Sequence, residues 1–153
     1  MQASVFGTRD LRLRADVRRL CRNLTRDFKP GVASVNIIFV TDRQIHALNR
    51  RFLRRDRPTD VISFNCDAPL CNPQPPSPPI GNRQSAIYNP KLPGEPRLLG
   101  EVYISRDRAR AQAREYGVSY ASELRRLVLH GLLHLLGLTH AKMMPYETKY
   151  LND

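Results

Sequence analysis

Three of the chain's four histidines, His130, His134 and His140, fall inside one short segment, HGLLHLLGLTH. Neutral imidazole nitrogen is a good ligand for zinc and related divalent ions, so their spacing decides whether they can share one ion. Four residues apart on a helix, His130 and His134 stand one turn apart on a single face and reach the same point. Gly137 permits the left-handed conformation that ends a helix and turns the chain back, which lets His140 close on that point from the side. Three imidazoles leave the fourth tetrahedral position open, as in a catalytic rather than a structural zinc site. The expectation is one Zn2+ per chain, able to acidify water and to polarise a phosphoryl oxygen.

The same spacing occurs in metzincin proteases, which carry a glutamate general base directly after the first histidine. This chain has Gly131 there, which disfavours a peptidase. The fourth histidine, His46, falls on the polar face of a predicted helix and reads as solvated. Cys21, Cys66 and Cys71 are an odd number at irregular spacing, expected to be reduced thiols serving packing or surface roles. Lys and Arg total 25 against 14 acidic residues, a formal net charge of +11. Such a surface attracts polyanions, with nucleic acid the leading class. Arg50, Arg51, Arg54, Arg55 and Arg57 crowd the end of one predicted helix and the loop after it, a candidate phosphate-contacting patch.

The elements that must position these residues follow from periodicity. Leu13, Val17, Leu20, Cys21, Leu24 and Phe28 recur at helical spacing until Pro30-Gly31. VNIIFV at 35–40 reads as a buried strand. Thr41 and Gln44 have capping-box spacing before a helix carrying Ile45, Leu48 and Phe52. Pro58 stops that helix, and DVISF at 60–64 is a second strand. The stretch from about 67 to 97, which includes PQPPSPP, reads as an inserted proline-rich loop within one domain spanning 1–153. LLGEVYIS at 98–105 is a third strand, 106–116 a helix closed by Gly117, and about 119–136 a long, leucine-rich, buried helix that carries the histidine pair. No apolar run approaches the length of a membrane span, and the first residues lack a secretory apolar core, so a soluble, cytoplasmic protein is expected, with an organellar location as the alternative.

Three segments, LNRRFLRRDRPTDVISF at 48–64, LLGEVYIS at 98–105 and HGLLHLLGLTH at 130–140, together resemble the YbeY family of metal-dependent endoribonucleases. The resemblance implies an α+β fold, a small mixed sheet of about four strands flanked by helices. It implies His130, His134 and His140 as zinc ligands. It also implies a single-strand-type endoribonuclease acting on 16S ribosomal RNA in maturation and ribosome quality control, with ribosomal RNA and ribosomal subunits as partners. The family usually has Asp before the third histidine, where this chain has Thr139, and Arg after the aromatic of its YRG-type segment, where this chain has Leu53. Arg54 or Arg55 is the candidate substitute for that catalytic arginine. The alternative function is a non-catalytic, zinc-containing factor that binds ribosomal RNA.

Overall fold

The computed structural model describes residues 1–66 and 97–151. The proline-rich insertion and Cys71 lie outside the described residues, except that Arg97 already opens a strand. The elements run β1 (Gln2–Phe6), α1 (Leu11–Phe28), β2 (Ala33–Val40), α2 (Asp42–Leu53), β3 (Val61–Asn65), β4 (Arg97–Ser105), α3 (Arg106–Glu115), α4 (Tyr120–Leu135) and α5 (His140–Leu151). They form one mixed sheet in the order β1-β2-β4-β3, parallel except for β3, which runs against β4. The expected α+β class, with about four strands flanked by helices, is what forms.

Local chemistry accounts for the helix boundaries. Asp10 accepts hydrogen bonds from the Arg12 and Leu13 amides at the head of α1. Thr41 and Gln44 form the reciprocal capping box of α2. Ser105 caps α3, Ser119 caps α4, and Gly117 takes the positive φ of +65° that lets the chain leave α3. Along β2, Val35, Ile37 and Phe39 enter the main core with α1 and α4, while Val40 and Ile38 meet α2 on the other face. A strand covered on both faces carries apolar residues at successive positions, and the run VNIIFV is the result.

Helix α4 is the centre of the molecule. Leu124, Leu127, Val128, Leu129, Leu132, Leu133 and Leu135 are all buried, which explains why it is apolar nearly all round. Two elements were not legible in the sequence. β1 is an edge strand in which only Val5 is buried, so its pattern is faint. The segment from His140, in which periodicity gave no element, is helix α5, although Pro145 lies within it. Its docking is tertiary. Met143 and Tyr150 are each 1% exposed, Arg125 donates to the Tyr150 carbonyl, and the Phe28 and Tyr146 rings pack with centroids 5.0 Å apart.

Candidate metal centre

His130 and His134 project from the last two turns of α4, and His140 is the first residue of α5. Gly137, between them, has φ +84°, a backbone state that side chains other than glycine's resist. The turn brings one ring nitrogen from each histidine to within 4.8 Å of the others. The ring centroids are separated by 4.8, 5.1 and 4.6 Å. The Nε2 atoms of His130 and His134 stand 3.2 Å apart. Two nitrogens bound at about 2.05 Å on a tetrahedral zinc would be about 3.3 Å apart, so the donor set fits such an ion.

Each of the two α4 imidazoles has a partner that orients it. Glu147, one α5 residue whose importance the sequence did not signal, stands 2.9 Å from His130 Nδ1. An ionised carboxylate only accepts, so Nδ1 carries the proton and Nε2 is left free as a ligand. His134 makes a hydrogen bond to the backbone of Leu138. Burial, and then the neighbouring His130 and His140, push the His134 pKa below its ordinary value. Neutral imidazole, the form that binds metal, is favoured by this environment.

The cleft in front of the histidines has a volume of about 430 Å³, and its walls include Leu53, Arg55, Asp60 and Ser63. Arg55 therefore shares the cleft with the three histidines. Arg54 caps α2 in a left-handed conformation, φ +54°, and is not among the lining residues. Leu53, 45% exposed, presents an apolar side chain to the same space. Asp60 is engaged structurally, accepting from the Val61 amide at 2.9 Å and from Gln112 at 3.2 Å. Thr139 is exposed in the turn, where its carbonyl accepts from the Lys142 amide.

Gly131 has a packing reason. A Cβ there would lie 2.3 Å from Val102 Cγ1 and 3.1 Å from Ser63 Oγ, and Ser63 already donates to the Gly131 carbonyl. Helix α4 lies too close to the sheet for the glutamate that a metzincin carries at this position.

Comparison with known sequences settles the relationship. A family model described as endoribonuclease YbeY matches residues 5–152. The chain belongs to the YbeY family. A Chloroflexus aggregans relative named endoribonuclease YbeY is 42% identical over 119 residues, covering 78% of this chain and 67% of its own length. A Lysinibacillus sphaericus relative of the same name is 40% identical over 117 residues, covering 76% of this chain and 64% of its own. The matches thus span about two thirds of those YbeY relatives. A solution structure of a Thermotoga maritima protein shares the fold, with a TM-score of 0.60 at 24% identity, over 98% of this chain and 87% of that one.

His46 lies on the surface, as expected, where it pairs with Asp56 at 2.8 Å. Cys21 is a packing residue, and burial pushes its thiol up to about 12, which removes it as a nucleophile at neutral pH. Cys66 is exposed.

Proposed function

We propose that this YbeY-family chain is a metal-dependent endoribonuclease whose ion is held by His130, His134 and His140. The observation that carries the reading is the convergence of the three ring nitrogens in an open cleft that also contains an arginine. Zinc is the ion the all-imidazole donor set favours; when bound it supplies a Lewis acid and acidifies water. Glu147 holds His130 in the ligating tautomer. Arg55 is placed to bind the scissile phosphate and to stabilise charge that develops on it. Leu53 leaves that wall without a second cation. The net charge of +11 supports a polyanionic substrate, and ribosomal RNA within ribosomal subunits, in the cytoplasm, is the substrate and setting proposed. No described helix is long and apolar enough to cross a membrane.

The test is direct. Zinc-loaded protein is incubated with structured RNA beside a His134→Ala variant whose folding is checked by circular dichroism. Cleavage by the parent chain and none by the folded variant is the expected result; cleavage that persists in the variant overturns the proposal.

A second reading has its own support. Leu53 on the cleft wall, where the family resemblance leads one to expect arginine, favours a non-catalytic factor in which the ion staples α4 to α5 and the basic surface binds ribosomal RNA. Metal-stabilised, RNA-binding protein with no cleavage would select it.

A further inference from the structure

A second cleft among the described residues lies at the opposite edge of the sheet from the one that borders the histidines. It has a volume of about 960 Å³ and runs along the outer edge of β1, between that strand and α1. Strands β1 and β3 are the two edges of the sheet, three strand spacings or about 14 Å apart, so this groove is distinct from the metal-centre cleft.

Arg14, Arg18 and Arg22 line it from α1, and no acidic residue does so among the described residues. They lie at i, i+4 and i+8, one above another on a single helical stripe, with a rise of about 6 Å from each to the next. Like charges at this spacing repel, so the stripe costs the isolated helix stability. Exposed Arg18 and Arg22 have no ion pair or hydrogen bond among the described residues that would relieve it. Arg14 donates one hydrogen bond, 2.8 Å, to the Val5 carbonyl at the strand edge, and its Nε is buried without a partner. At the same end of the groove Phe6 is 51% exposed.

We infer that this groove binds the sugar-phosphate backbone of single-stranded RNA at a site remote from the metal centre. Unpaired guanidinium groups at a regular step complement successive phosphates, and an exposed aromatic ring at the end of a basic groove offers a stacking surface for one base. The inference rests on the proposed RNA substrate and adds a second point of attachment for it. Because the two sites are far apart, only RNA long enough to span them gains from both.

The experiment compares binding of a fluorescent 30-nucleotide single-stranded RNA to three full-length proteins across a salt series. These are the parent chain, Arg18→Gln/Arg22→Gln, and Arg43→Gln/Arg114→Gln, which removes two exposed charges elsewhere. The groove variant should bind several-fold more weakly, with its slope of log K against log salt shallower by about 1.4, or 0.7 for each lost phosphate contact. Arg43→Gln/Arg114→Gln should retain the parental slope. Cleavage of RNA too short to span the two sites should be the same for all three proteins. Equal losses in the two variants, an unchanged groove variant, or displacement of the bound RNA by a polyglutamate peptide of equal charge would overturn the assignment. Groove-dependent binding without any cleavage would leave this site standing and remove the proposed endonuclease activity instead.

Discussion

Glu147 accepts one hydrogen bond from His130, and through it decides which nitrogen of that ring faces the other two histidines. Partners of this kind change metal affinity by about 10–100-fold when removed, so Glu147→Gln should weaken zinc binding by that factor in a chelator competition, with folding unaffected. Arg55 makes a different kind of contribution. If it stabilises the reacting phosphate, Arg55→Ala should lower kcat by roughly 10²-fold while the protein still carries one ion, measured by single-turnover cleavage beside elemental analysis. Arg54, outside the cleft, should tolerate alanine with little change in either quantity. Glu147 was invisible at the sequence level because nothing in HAKMMPYETKYL announces which turn faces His130. Arg55 was legible as one of five clustered arginines, but choosing it over Arg54 required the folded chain, in which Arg55 and not Arg54 lines the histidine cleft.

Helix α5 carries both His140 and Glu147, so its docking is part of the site. Lys149 and Tyr150 donate to Asp27 at the end of α1, and these two hydrogen bonds hold the Asp27 carboxyl down to about 2, from an ordinary 3.8. A carboxyl depressed in the folded state contributes stability that is complete above its unfolded pKa, near 4, and is lost as pH falls through its folded value. Asp27→Asn should therefore lower the melting temperature at neutral pH. It should also flatten the part of the decline between about pH 4 and pH 2 that belongs to this group, read from thermal melts at each pH. The contact between α4 and the sheet is the other demanding one. Gly131→Ala would push a methyl against Val102 and should cost about 1–3 kcal/mol in denaturant unfolding.

At the scale of the molecule, the three histidines lie on two helices joined by the Gly137 turn, so an ion bound there would tie α4 to α5. A ligand that binds only the folded state stabilises it by about 2.7 kcal/mol at a hundredfold excess over Kd. Zinc should accordingly raise the melting temperature by several degrees, and the rise should vanish in His134→Ala. The sheet's two edges have different neighbours. β3 borders the histidine cleft and β1 the arginine groove, with the leucine-rich α4 and the covered strand β2 as the framework between them.

Periodicity alone determined that 13–28, 41–52 and 119–136 are helices and that 35–40 is a buried strand, because each buries a continuous apolar stripe whose repeat is visible in one dimension. Spacing alone placed His130 and His134 on one helical face, and Gly137 marked the turn. The tertiary structure decided the rest: the edge strand β1, helix α5 with its Glu147, and which arginine enters the cleft. These depend on contacts between residues far apart in the chain, such as Asp27 with Tyr150 or β1 with β2, and side chains that are buried only by a distant neighbour leave no repeat of their own in the sequence.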